Sequence, residues 1–174
     1  MPDLLAHYLS SYLVAQAFVK HRHAALLALV GVLTDLDALL RIHRWVTHSL
    51  VVTFALFTPV LLALYLYKEK HLKIVLLALL LYTLHIALNT LTTLTPALWP
   101  LAPQIWVIVE MTGAVSSKGL LLATTIATET RPTDFTQKAY VEGPIVSEVG
   151  VVLAVVTLVL TVAEHMAKKS RVRA

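Results

Sequence analysis

Two stretches of this chain run for the thickness of a membrane without a formal charge: Ser49 to Tyr67, 19 residues, and Ile74 to Leu94, 21 residues with the titratable His85 inside it. A helix of about 20 residues crosses a hydrocarbon core of roughly 30 Å, and in that medium every backbone amide must be bonded within the chain. Both stretches are therefore expected to be transmembrane helices. Composition agrees, because 58% of the 174 residues are apolar, 14% are charged and the mean hydropathy is +0.79, which is outside the range of an ordinary soluble domain.

Ile145 to Ala163 is a third expected span, with Glu148 near one end. Leu4 to Val19 and Ala24 to Leu40 are shorter and spotted with polar residues, so they read as helices packed inside the bundle. The expected fold is all-α, a polytopic transmembrane bundle of about five to six helices forming one domain over residues 1–174. Between Thr95 and Gly143 the pattern is irregular. Trp99, Pro100 and Pro103 mark an interfacial loop, Ile105 to Val109 has β-branched character, and Gly119 to Thr128 reads as a re-entrant or tilted helix. The opening Met-Pro-Asp lacks the basic start of a signal peptide, so the first helix is expected to stay in the mature chain. Cysteine is absent, which excludes disulfides, thiolate metal ligands and a thiol nucleophile.

The formal charge of +4 does not describe a nucleic-acid surface, because the basic residues sit in short clusters at helix ends. They read as topology signals and headgroup contacts. With Lys20, Arg22, Lys68, Lys70, Lys73, Lys168, Lys169, Arg171 and Arg173 cytoplasmic, the other side holds Arg41, Arg44, Lys118, Arg131 and Lys138, a ratio of nine to five. That orientation carries His7, Asp35, Asp37, His43, His48, His85 and Asn89 to one depth on the non-cytoplasmic side of an integral membrane protein. Carboxylates and imidazoles at such depth are costly and mark a functional site.

His85 and Asn89 lie one helical turn apart on one face, extended by Tyr82 and Thr92. They can clip a metal ion or form a hydrogen-bonded seam between helices. Asp35 and Asp37 are roughly 200° apart around an α-helix, so both reach one cavity only where the helix ends. One is then a ligand or base and the other orients an imidazole. In His43-Arg44-Trp45-Val46-Thr47-His48-Ser49, Thr47 or Ser49 suits a helix N-cap, and Arg44 can either bind phosphate oxygens or anchor the interface with Trp45. His21, His23, His71 and His165 fall in basic loops or the tail and are expected to be solvated.

An early His, an Asp-x-Asp, a His-Arg-x-x-Thr-His-Ser and a His-x-x-x-(Asp), followed by a Thr to Trp-Pro segment, together resemble the membrane-bound metal-dependent hydrolases, the LexA-regulated inner-membrane family. Here these are His7, Asp35-Leu-Asp37, His43 to Ser49, His85 to Asn89, and Thr93 to Trp99-Pro100, so the resemblance covers about the first 100 residues. That family is in turn similar to zinc-dependent phospholipase C. The resemblance implies a divalent metal, zinc being the expected ion, on His7, Asp35, His48 and His85, with Asn89 at the next ligand position. It implies Asp35 or Asp37 as base or orienter, Arg44 and His43 as binders of substrate oxygens, and a phosphoester or phospholipid-type substrate reached among membrane lipids. Three positions depart from the pattern: Thr34 stands for Pro, Trp45 for Gly and Asn89 for Asp. The last removes a negative charge and a bridging oxygen, and it favours an alternative, a non-catalytic membrane protein that keeps a polar or weak metal site. An ion transporter using the same acids and imidazoles as a relay is a third reading, although no broken-helix pair accompanies it.

Overall fold

The computed structural model describes residues 3–42, 44, 46–117, 119–133, 136–140 and 145–173. His43, Trp45 and Lys118 lie outside the described residues, as do the side chains of His165, Lys168, Arg171 and Arg173. The chain is not all-α. Among the described residues there are five α-helices and, in the segment expected to hold a loop and a tilted helix, a two-stranded antiparallel sheet.

Helix α1 (Leu4–Gln16) starts at Asp3, whose carboxylate accepts the Leu5 amide at 2.9 Å. Helix α2 (His21–Ala28) runs on without a break as a 3-10 helix over Leu29–Leu40. A 3-10 helix repeats about every three residues, and the sequence has that period. Ala28, Gly31, Thr34 and Asp37 form the buried stripe, while Leu33, Leu36 and Leu39 form the exposed one. Arg41, in the left-handed region at φ 58°, ends the run.

Helix α3 (Leu50–Tyr67) is capped by Ser49, which accepts the Val52 amide at 3.2 Å. Helix α4 (Leu72–Thr92) buries one stripe at four-residue spacing, Leu77, Leu81, His85 and Asn89, apolar at its start and polar towards its end. Thr92, expected on that face, is exposed and returns its hydroxyl to the helix backbone.

Strands β1 (Ile105–Ser116) and β2 (Gly119–Thr130) pair throughout, from Ile105 opposite Thr130 to Ser116 opposite Gly119. The β-branched residues spread through Ile105-Trp-Val-Ile-Val and Thr124-Thr-Ile-Ala-Thr favour a pleated strand over the helix expected at 119–128. Only the base of this hairpin is packed. Trp106 is buried and Val107 bridges Thr95, whereas Val115 and Leu120 to Leu122 near the tip are exposed. Helix α5 (Glu148–Arg173) then packs on α1.

The interior divides along its length. Ala15, Ala24, Leu77 and Leu81 make an apolar core at one end, and His7, Asp35, His48, His85 and Asn89 a polar one at the other. Among the described residues, three helical segments are long and apolar enough to cross a membrane by length and composition: His21–Leu40, Leu50–Tyr67 and Glu69–Thr92. The first corrects its expected place inside the bundle, since Leu29, Leu33, Leu36 and Leu39 lie on an outer face. The run expected to begin at Ile145 becomes helical only from Glu148. An apolar outside around a partly polar inside is the distribution a bilayer selects.

Candidate metal centre

Four elements deliver the polar core. His7 comes from the first half of α1, Asp35 and Asp37 from the end of the 3-10 helix, His48 from the turn before α3, and His85 and Asn89 from the last two turns of α4. The turn holding His48 is fixed from several sides. Ser49 donates its hydroxyl to the Trp99 carbonyl, the Leu50 amide donates to the Ala97 carbonyl at 2.9 Å, and the Tyr82 hydroxyl donates to the Thr47 carbonyl at 2.9 Å. The Thr93 to Pro100 segment thus folds over the start of α3.

Among the described residues, Asp35, His48 and His85 form a buried group whose ligand atoms all lie within 4.8 Å of one another. Asp35 Oδ1 is 3.5 Å from His48 Nε2 and 3.4 Å from His85 Nε2. Those separations are long for hydrogen bonds between the same atoms. They match the edge of a zinc tetrahedron, about 3.4 Å for bonds of 2.0–2.1 Å.

Buried atoms without a hydrogen-bond partner point the same way: Asp35 Oδ2, His48 Nε2, His85 Nδ1, His7 Nδ1 and Asn89 Oδ1. So many orphans in one place are expensive unless something absent from the polypeptide satisfies them. This group fits a divalent ion.

Asp37 stands behind His48, with Oδ2 3.2 Å from His48 Nδ1 while also accepting the Thr47 hydroxyl at 3.0 Å. A proton on Nδ1 leaves the lone pair of Nε2 facing Asp35 and His85, which is how an outer carboxylate sets a metal-binding tautomer. Burial opposes a charge on His48, but the carboxylates of Asp35 and Asp37 outweigh it and hold its pKa above the usual imidazole value. Both acids reach one imidazole because the 3-10 geometry sets residues two apart about 120° from each other instead of about 160°.

His7 stacks beside the triad, its ring centroid 3.9 Å from that of His85. Asn89 turns its amide nitrogen to His85 Nε2 at 2.8 Å. Arg44 is buried, has φ 58° and donates Nη1 to the Leu94 carbonyl. Burial and the positive charge of Arg131 push its pKa down to about 10. His43 lies outside the described residues.

His21 and His23 are exposed as expected, although His21 pairs with Tyr12 and Glu164; His71 is exposed too. Two residues with a place at the site escaped the sequence reading. Trp106 and Arg131 stand at the base of the hairpin, with the Arg131 guanidinium 4.0 Å from the centroid of the Trp106 ring. Arg131 was legible only as one of five charges on its side, because its closeness to Arg44 depends on strand pairing over 24 residues.

The chain matches no family model, no curated protein and no solved structure. Its geometry therefore carries the functional reading alone.

Proposed function

We propose that this protein is a membrane-embedded metal-dependent hydrolase that cleaves a phosphoester, with a zinc-class divalent ion held by Asp35, His48 and His85. The carrying observation is the convergence of those three buried ligand atoms within 4.8 Å. His7, against the His85 ring, and Asn89, one turn beyond His85, complete the surroundings. The bound ion supplies Lewis-acid polarisation of a phosphoryl or ester oxygen. Asp37 orients His48, and the free oxygen of Asp35 is placed to take a proton from an attacking water.

A membrane lipid is the substrate class that suits the surroundings. A cavity of about 420 Å³ between α1, α4 and α5 has an apolar wall of Ala6, Leu88, Leu91 and Leu153, a polar rim that includes Asp3, Thr93 and Ser147, and reaches His7. A groove that ends at the His7 imidazole, beside His85, accommodates an acyl chain while its headgroup meets the ion. The bias of basic residues towards the opposite end supports a site on the non-cytoplasmic face.

The test is elemental analysis of the detergent-solubilised protein together with turnover of a chromogenic phosphodiester. Near-stoichiometric metal and turnover, both lost in His85→Ala with the helical content unchanged, is the expected result. A metal load equal in wild type and His85→Ala, or none in either, overturns the reading.

One observation favours a second reading, a non-catalytic membrane protein with a polar seam. The Asn89 amide faces the very nitrogen of His85 that would ligate an ion. Metal without turnover in both wild type and Asn89→Asp would select it.

A further inference from the structure

We propose that Arg44, Arg131 and Trp106 form an anion subsite beside the metal centre, built for the non-bridging oxygens of a phosphoryl group. The proposal deepens the phosphoester reading and rests on it for the reaction the anion undergoes, but not for binding itself.

Three buried N–H donors at this place have no partner: Arg44 Nε, Arg131 Nε and Trp106 Nε1. Arg44 and Trp106 are each only 8% exposed, so water does not supply what the protein withholds. Each orphaned donor costs about 1–3 kcal/mol, and more where the group is charged. A folded chain keeps three together when a ligand with several acceptor oxygens satisfies them all.

Charge points to the sign of that ligand. The Arg131 guanidinium is close enough to Arg44 to disfavour the charge on Arg44. Among the described residues no carboxylate forms an ion pair with either. Asp35 and Asp37 are near enough for Arg44 to feel their charge, yet both carboxylates reach His48, and Asp35 also reaches His85. A buried guanidinium beside a half-buried one, with neither ion-paired to a carboxylate among the described residues, is costly as it stands, and an anion between them converts repulsion into a clamp.

Geometry makes the clamp rigid. Arg44 is held by its bond to the Leu94 carbonyl, two residues after α4 ends. The Thr95 amide donates to the Val107 carbonyl at 2.9 Å, which fixes β1 beside Leu94, and the Arg131 amide donates to the Gln104 carbonyl at 2.9 Å, which returns the end of β2 to the start of β1. The Trp106 face supports the Arg131 guanidinium through a cation–π contact and leaves its N–H edge free. Guanidinium edges match phosphoryl oxygens in pairs. Arg44 lies within electrostatic reach of Asp35, a ligand of the proposed ion, so an anion held by Arg44 is near the ion that would act on it.

The experiment is titration calorimetry of inorganic phosphate into the full chain in detergent with EDTA, where the ion plays no part. Wild type is expected to bind, and Arg131→Ala and Arg131→Gln to bind about tenfold or more weakly, the loss of one charge-assisted hydrogen bond. Arg131→Lys is expected to fall between them, since it keeps the charge and loses the fork. All Arg131 variants should keep the wild-type metal load when zinc is restored, which separates this subsite from the metal reading. Competition with glycerol phosphate and short-chain phosphatidate identifies the source of the phosphoryl group. Displacement by phosphatidate at much lower concentration assigns a lipid headgroup, and equal displacement assigns a water-soluble phosphate; either result sustains the subsite. No binding by folded wild type, or equal binding by wild type, Arg131→Ala and Arg131→Gln, overturns it.

Discussion

His48 faces a carboxylate at each ring nitrogen, Asp37 3.2 Å from Nδ1 and Asp35 3.5 Å from Nε2. The two acids are not equivalent. Removing Asp35 takes away a ligand, whereas Asp37→Asn removes only the charge that holds the His48 tautomer. The expected outcome for Asp37→Asn is a metal affinity lower by about 10- to 100-fold, the usual effect of losing such a partner, with the ligand set intact. Competition with a graded series of chelators measures it, and unchanged affinity would detach Asp37 from the site. Asn89→Asp works in the opposite direction. A carboxylate binds a divalent ion better than a neutral amide, and it cannot donate to His85 Nε2 as the Asn89 amide now does at 2.8 Å. Tighter binding of zinc by the same competition is expected, and weaker binding would show that the amide donor matters more than the charge.

The 3-10 segment Leu29–Leu40 brings Asp35 and Asp37 to the site, and it packs against both α4 and α1. A Cβ added at Gly31 would stand 2.0 Å from Ser11 Oγ, so glycine permits the two backbones to approach. His7 lies one turn before Ser11 and Asp35 just over one 3-10 turn beyond Gly31, so forcing the pair apart also separates imidazole from carboxylate. Gly31→Ala is expected to destabilise by about 1–3 kcal/mol through overpacking. Thermal unfolding in detergent reads that loss, and Ser11→Gly in the same chain should restore most of it. Without rescue, the contact is not the cause.

Legibility in the sequence followed the physics of each element. The helices of residues 50–67 and 72–92 were plain, because uncharged length has one stable solution in a bilayer. The residues Asp35, His48 and His85 were plain for the complementary reason, since such groups are rare beside apolar sequence. The 3-10 helix was missed although its three-residue alternation is written in Ala28, Gly31, Thr34 and Asp37, because runs of that helix this long are uncommon. The hairpin was missed because the apolar Gly119 to Ala123 segment has no periodicity of its own, and only its pairing with β1 decides its form.

At the scale of the whole molecule, two contacts fix the direction of α5. Asp3 accepts the backbone amide and hydroxyl of Ser147 at 2.7 and 2.6 Å, while His21 lies 3.4 Å from Glu164. The helix therefore starts beside the beginning of α1 and passes its far end, running parallel to it. The hairpin leaves and returns at the polar end, so it does not add a crossing. Lys20, Arg22, Lys68, Lys70 and Lys73 consequently gather at the end opposite the metal centre, where the basic tail of α5 also emerges. A bias of that kind orients a bundle with its basic end in the cytoplasm. The chain has no cysteine, so Lys70→Cys or Leu101→Cys introduces a single thiol, in each case at an exposed residue. A membrane-impermeant maleimide applied to intact cells should label position 101 and spare position 70 until the membrane is permeabilised. The reverse pattern would put the candidate metal site on the cytoplasmic face, and the proposed lipid substrate would then have to come from the cytoplasmic leaflet.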